Sequence, residues 1–200
     1  MPTALQRGFD NPVFDGQAVF KAAMWALSRP GLSRPVRGAE AAPAPLTPVL
    51  GALALTLADF ETSVWLDAAL AAAPAVERWL KFHTGTKLAA APAEAGFALI
   101  ADGAAMPELA AFGLGTQAYP DQSTTLLIAV AGFGAGTALR FEGPGVDGAL
   151  ELRIAGLPAA VLAGWADNKA AFPRGVDVIL AGPDSVIGLP RTVSITVLED

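Results

Sequence analysis

The first segment with a clear hydrophobic period lies near the start of the chain. Residues 15–28 place their apolar positions with the period of an α-helix, and Asp15 is a good N-cap for that helix. The positions that repeat at i, i+3, i+4 and i+7 are Phe20, Ala23, Met24 and Leu27. This stripe predicts the helix face that packs against the core.

Two more helices are predicted in the N-terminal half. One begins at Thr47 with Pro48 at its first position, where a missing N–H costs nothing. It is apolar nearly all round, which predicts a fully buried helix. The other covers residues 74–82, and His83 follows directly after it.

Short apolar runs typical of strands dominate the rest of the chain. Strands are predicted near Val36 and at residues 63–66, 97–101, 125–131, 138–141, 150–154, 176–180, 186–189 and 193–198. Short helices are predicted at residues 107–112 and 158–166. This alternation predicts an α/β fold with one sheet of mixed direction flanked by helices. We expect a single domain over residues 1–200, with an N-terminal arm of about residues 1–14.

The overall composition changes the picture of the surface. The charged fraction is 16%, against about 25% in typical soluble domains. A surface with so little charge is typical of a protein that other proteins cover. An alanine-rich style of sequence is the simpler alternative explanation.

Several kinds of site and partner are excluded by composition. Cysteine is absent and His83 is the single histidine, which excludes a disulfide, an iron–sulfur cluster and a thiolate or multi-histidine metal site. We expect neither a metal nor a cofactor in this chain. The net charge of −6 argues against nucleic acid as a partner. The longest apolar run, residues 48–58, is shorter than the roughly 20 residues of a membrane span. The start of the chain lacks an apolar secretory core, so a cytoplasmic location is expected.

Residues 132–136, GFGAG, follow an apolar run and resemble a dinucleotide-binding loop. That loop has the pattern GxGxxG and must open a helix whose amides face the phosphate. Here the following residues, TALRFEG, have the pattern of a strand. The glycines are therefore interpreted as a hairpin turn in preference to a nucleotide site.

Two isolated polar residues are candidates for chemistry. His83 could act as a base or ligand, but a role at the C-terminal end of the predicted helix is favoured, since a donor there meets free carbonyls. Asp177 interrupts the apolar strand GVDVIL, so its carboxylate is expected to meet a partner. Arg191, across the predicted hairpin, is the partner we expect.

The segment from residue 172 to 192 carries a Pro-Arg pair at each outer end, Pro173-Arg174 and Pro190-Arg191. Proline has no N–H for a strand ladder and so limits strand pairing. The guanidinium groups can then reach a carboxylate, a phosphate or a partner chain, of which a carboxylate or a partner chain is favoured. With Asp177 and His83, the residues Arg174, Arg191 and Thr192 form the set of candidate functional or interface residues.

Several short motifs, taken in order, resemble the PhnH family of the bacterial carbon–phosphorus lyase system. They extend nearly end to end. They are NPVFDGQ from Asn11, LTLAD from Leu55, TSVWL from Thr62, FHT from Phe82, GPGV from Gly143, FPRGVD from Phe172 and LPRT from Leu189. Two positions depart from the family pattern: Arg174 stands where it usually has an apolar residue, and Val193 where it often has a second threonine.

The resemblance implies a fold similar to the large domain of pyridoxal-phosphate-dependent transferases, without the cofactor. A pyridoxal enzyme needs a lysine for its Schiff base. The four lysines lie within a predicted helix, beside a helix end or in a loop, settings that do not suit a buried aldimine: Lys21, Lys81, Lys87 and Lys169.

The resemblance also implies a homodimer that joins subunits G, I and J. That assembly is associated with making alpha-D-ribose 1-methylphosphonate 5-triphosphate from ATP and methylphosphonate. We therefore expect a subunit of a transferase complex without independent activity, which contacts ATP or phosphonate only at a shared site. The alternative is a free-standing enzyme that binds a nucleotide or phosphonate with Arg191, Asp177 and His83 in one cleft.

Overall fold

The structure, a computed structural model, describes residues 7–198. Its α-helices are α1 (Pro12–Ser28), α2 (Pro48–Leu57), α3 (Ala68–Ala71), α4 (Pro74–Thr84) and α5 (Ala159–Ala170). Its strands are β1 (Arg34–Pro35), β2 (Ser63–Leu66), β3 (Lys87–Leu88), β4 (Phe97–Ile100), β5 (Thr125–Ala129), β6 (Gly132–Glu142), β7 (Ala149–Ala155), β8 (Asp177–Ala181), β9 (Ser185–Leu189) and β10 (Ser194–Val197). Within residues 7–198, none of the helices combines the length and apolar character that crossing a membrane requires.

The larger of two sheets has seven strands in the order β1-β9-β8-β5-β4-β2-β3. The five strands from β8 to β3 run parallel, whereas β9 runs antiparallel to β8 and β1 antiparallel to β9. The prediction of an α/β fold with a sheet of mixed direction is confirmed.

The expectation of one sheet is wrong, because β10, β6 and β7 form a separate antiparallel sheet. The physical reason is visible along β6. Leu139 and Phe141 are fully buried, while Arg140 and Glu142 point away from the core and form an ion pair (3.2 Å). A strand that alternates in this way has one solvent-exposed face. Such a strand does not suit the interior of a parallel sheet, because both faces of a parallel sheet are covered.

The large sheet separates two apolar cores. Alternate residues of its central strands face opposite sides. Leu99, Leu127 and Ile179 join α1, α2 and α4 in one core. The residues next to them face α5 and the small sheet in the other core: Ile100, Leu126, Ile128 and Val178.

Helix α1 begins earlier than expected. Asn11 is its N-cap and accepts a hydrogen bond from the Phe14 N–H (3.3 Å), while Asp15 Oδ2 accepts one from the Asn11 N–H (2.8 Å). Asp15 therefore lies in the first turn and is not the cap. Residues 12–14 of the expected arm belong to the helix, and residues 1–6 lie outside the described part of the chain.

The buried face of α1 also differs from the predicted one. The buried residues are Val19, Ala22, Ala23 and Ala26. Phe20 and Met24, predicted to face the core, are exposed. The cause lies in β9, where a Cβ atom on Gly188 would stand 2.5 Å from the Ala26 carbonyl carbon. The helix backbone lies directly on the strand, and only alanine-sized side chains fit between the two.

Of the remaining predicted helices, some are confirmed and others differ from the structure. Helix α2 is buried as expected, and Thr47 Oγ1 caps it by accepting from the Leu50 N–H (3.3 Å). Helices α4 and α5 continue to Thr84 and Ala170, beyond their predicted ends, whereas residues 107–112 contain only a 3₁₀ turn, Leu109–Ala111.

The glycine-rich segment 132–136 is not the predicted hairpin turn. It forms the start of β6, which pairs with β7 through an irregular register between Phe133 and Thr137. Gly136 has φ +87°, and a Cβ atom there would stand 2.5 Å from the Ile154 carbonyl oxygen. The glycines thus permit a bulge against β7, and the strand predicted after them is confirmed.

Candidate functional site

Asp177 and Arg191 meet at the amino end of β8, as predicted. Strand β9 ends at Leu189, and the chain turns at Pro190, so Arg191 returns alongside the first residue of β8. The Arg191 backbone N–H donates to Asp177 Oδ1 (2.7 Å), as does its side-chain Nε (3.1 Å), and Nη2 donates to Oδ2 (2.5 Å). The two groups form a bidentate ion pair of fixed geometry.

The rest of the Arg191 guanidinium binds three other segments. Nη1 donates to the carbonyl oxygens of Pro120 and Pro173 (3.1 Å each), and Nη2 donates to Ser123 Oγ (2.6 Å). An arginine side chain has five N–H donors. These three contacts, together with the two side-chain bonds to Asp177, use all five. The side chains of Arg191 and Asp177 are only 12% and 24% exposed. We call these five residues the Arg191 cluster.

Neighbouring hydrogen bonds fix the chain around the cluster. Buried Asn168 on α5 donates from Nδ2 to the Val176 carbonyl (2.9 Å) and accepts the Val176 N–H at Oδ1 (2.8 Å). Trp165 Nε1 on the same helix donates to the Val193 carbonyl (2.9 Å). Helix α5 therefore holds the segments on both sides of the ion pair. The sequence did not single out Asn168 or Trp165, because nothing local marks a side chain that clamps a distant backbone.

The other candidate residues in this region are placed differently. Arg174 is exposed, and within residues 7–198 no carboxylate lies at ion-pair distance from it. Thr192 is half-buried in the turn between Pro190 and Val193. Arg174 therefore keeps guanidinium donors that a ligand or partner could use, whereas Arg191 does not.

His83 does not join the cluster. It lies in the last turn of α4, where its ring makes edge contacts with Trp79 and Phe82 (centroids 5.0 Å apart in both cases). The helix leads to β3, four strands from β8, or about 19 Å at the usual strand spacing of roughly 4.8 Å. The predicted position near the helix end is confirmed, but a single cleft holding His83, Asp177 and Arg191 is not formed.

A surface cavity of about 350 Å³ adjoins the Arg191 cluster at Ser123. Among its lining residues are Thr62, Gly96 and two acidic residues, Glu94 and Asp121. Carboxylates at its border do not favour a phosphate or phosphonate there. In the part of the chain that the structure describes, no group of three or more potential metal ligands comes together.

Comparison with known proteins gives the chain a family. A family model described as bacterial phosphonate metabolism protein (PhnH) matches residues 7–196. The chain is 43% identical over 187 residues to the alpha-D-ribose 1-methylphosphonate 5-triphosphate synthase subunit PhnH of Rhizobium meliloti, covering 94% of this chain and 93% of that protein. It is 36% identical over 105 residues to the putative C-P lyase subunit protein HtxG of Stutzerimonas stutzeri, covering 52% and 53% of the two chains.

The family match extends over almost the whole described chain, so it includes both sheets, α1 and the Arg191 cluster. It agrees with the resemblance seen in the short motifs, and the chain belongs to the bacterial phosphonate metabolism protein (PhnH) family.

Proposed function

We propose that this chain is a subunit of the assembly that forms alpha-D-ribose 1-methylphosphonate 5-triphosphate from ATP and methylphosphonate, and that it has no activity alone. The observation that carries the proposal is the 43% identity, over 94% of the chain, to a protein named as a subunit of that synthase. The related C-P lyase subunit protein supports the same role.

The Arg191 cluster supports a structural role within such a subunit. Every donor of Arg191 is used inside the chain, so a phosphate could bind there only after displacing a carboxylate or a carbonyl. The candidate for contact with ATP or phosphonate at a shared site is Arg174, whose guanidinium is exposed beside the cluster.

We further propose a relationship between this fold and the large domain of pyridoxal-phosphate-dependent transferases, with no bound cofactor. The mixed sheet with a parallel centre is compatible with that relationship. All four lysines are exposed, and Lys81 forms an ion pair with Glu77 (2.6 Å), so none offers the buried amine that a stable aldimine needs. An absorbance spectrum after incubation with pyridoxal phosphate tests this point, and a protein-bound aldimine band would contradict it.

For partners, we propose a homodimer that joins subunits G, I and J in the cytoplasm, where ATP is available. Co-expression of all four subunits, followed by size-exclusion chromatography and a product assay with ATP and methylphosphonate, tests this assembly. We expect one complex and product formation only when all four are present. A chain that never co-elutes with the other three would contradict the proposal.

The free-standing alternative makes a different prediction. Calorimetry of the purified chain alone with ATP, and separately with methylphosphonate, is expected to show no binding at micromolar concentration. Tight binding by the isolated chain would favour the alternative.

A further inference from the structure

Helix α1 exposes an apolar surface that nothing within the described chain covers. The residues of this surface, which we call the α1 outer face, are Val13, Phe14, Phe20 and Met24. Val13 is 75% exposed and Phe14 70% exposed. Within residues 7–198, four of the ten exposed large apolar side chains lie on α1. Such a concentration of apolar residues on one surface is typical of a protein interface.

The packing of α1 explains why this surface cannot turn inward. The close approach of α1 to Gly188 leaves room for alanine side chains only, and Ala22, Ala23 and Ala26 fill that space. Phe20 and Met24 could not exchange places with them without lifting the helix from β9. The large apolar residues therefore face outward, where they add nothing to the core of this chain.

The border of the α1 outer face is positively charged. Residues 16–39 include four cationic residues and no carboxylate, in a chain whose net charge is −6. Arg37 pairs with Glu40 (3.3 Å), which leaves the other three as the charged border. The guanidinium groups of Arg29 and Arg34 lie over the Trp25 ring, at 5.5 and 5.1 Å from its centroid. Within residues 7–198, no carboxylate is at ion-pair distance from either arginine or from Lys21. The indole thus positions two cations without neutralising them.

We propose that the α1 outer face docks this chain onto another subunit of its assembly, through an apolar patch bordered by acidic residues. This inference rests on the proposed function and adds the surface by which the chain joins the complex. The charge at the border indicates which kind of partner binds here. An apolar patch surrounded by unpaired cations is complementary to a partner surface with an apolar centre and an acidic border.

A second copy of this chain fits the surface less well. A two-fold contact would bring the cationic border close to its own copy. The carboxylates nearest in sequence are Asp10, Asp15 and Glu40, and Glu40 already pairs with Arg37 (3.3 Å). The two that remain, Asp10 and Asp15, are too few for the three unpaired cations, so a homodimer formed here would leave at least one cation without a partner.

The test measures binding of the full chain to the purified complex of subunits G, I and J, immobilised for interferometry. Phe14→Glu and Phe20→Glu place a charge in the centre of the α1 outer face, and we expect each to weaken binding at least about tenfold. Phe14→Glu adds an acid to the first helical turn, which favours folding, so its melting temperature should be no lower than that of the unaltered chain. Phe60→Glu is the matched control, because Phe60 is also exposed (66%) but lies elsewhere. It should bind within about twofold of the unaltered chain.

Lys21→Glu tests the charge of the partner surface. If that surface is acidic, this variant should associate more slowly and lose part of the salt dependence of binding. Equal or faster association of Lys21→Glu would overturn the acidic partner.

Three other results would overturn the proposal. One is binding of both Phe variants as tight as that of the unaltered chain. Another is a dimer of the chain, seen by sedimentation, that Phe14→Glu dissociates while binding to the other subunits persists. The third is loss of binding to phosphatidylserine vesicles on the Phe14→Glu change, again with subunit binding intact. Failure of the unaltered chain to bind subunits G, I and J would contradict the proposed function itself, and the docking surface with it.

Discussion

The Arg191 cluster and the α1 outer face are opposite kinds of surface feature. In the cluster, charged groups that could have bound a ligand bind one another, and every guanidinium donor has an acceptor inside the chain. On α1, apolar side chains that could have filled a core remain exposed beside cations that lack carboxylate partners in the described residues.

The difference shows how each feature relates to function. A partly buried charge is tolerated when its hydrogen bonds are complete, so the cluster stabilises this fold and offers little to a ligand. An exposed apolar patch surrounded by unpaired cations has no partners within the described chain, so it is suited to binding another protein. In this chain, the ion pair of Asp177 and Arg191 therefore serves stability, whereas the outer face of α1 is suited to assembly.

Arg191→Ala should have the largest effect. It leaves Asp177 without a counter-ion and removes the link between the segments at Pro120, Pro173 and Ser123. We expect the free energy of unfolding to fall by about 3 kcal/mol in urea denaturation. Arg174→Ala, its exposed neighbour, should change it by no more than about 0.5 kcal/mol. Equal effects of the two variants would refute the stabilising role of the cluster.

Gly188→Ala tests the other half of the comparison. The new methyl group would stand 2.5 Å from the backbone of α1 at Ala26 and Leu27, so the helix must shift. We expect a loss of about 2–3 kcal/mol in thermal or urea unfolding. The control is Gly16→Ala near the start of the same helix, where the nearest atom lies 3.9 Å away. That change should stabilise the chain by about 0.5–1 kcal/mol.

Ser123→Ala removes a single acceptor from the cluster. One Arg191 N–H then loses its partner while the ion pair with Asp177 remains. The free energy of unfolding should fall by about 1 kcal/mol. Ser33→Ala, at an exposed position, provides the comparison and should be neutral. A loss as large as that of Arg191→Ala would mean that Ser123 does more than accept this bond.

Phe14→Ala should have the smallest effect on the isolated chain, within about 0.5 kcal/mol, because Phe14 contributes little to the core. Val19→Ala, on the buried face of the same helix, should cost about 2 kcal/mol. Urea denaturation of both variants measures the contrast. A large loss for Phe14→Ala would show that the α1 outer face supports this chain itself.

Much of the fold could be predicted, because many elements carry their own signals. Helix α2 is apolar on every side and could only be buried, and Thr47 marks its start through a local hydrogen bond. The pairing of Asp177 with Arg191 was predictable too, since a carboxylate at the start of an apolar strand needs a partner and the hairpin brings one opposite. The extra partners at Pro120 and Ser123, about 70 residues away in sequence, carry no local mark.

By itself, the amino-acid sequence determined the helices and most strands of this protein, its lack of thiol chemistry, and its family. These follow from local periodicity, residue chemistry and the order of short motifs. Only the tertiary structure decided that the strands divide into two sheets, that Arg191 has no donor to spare, and that α1 turns its alanines inward. Those outcomes depend on which distant segments come into contact. The close contact between the Gly188 backbone and α1 is one example, and nothing in the sequence of the helix predicts it.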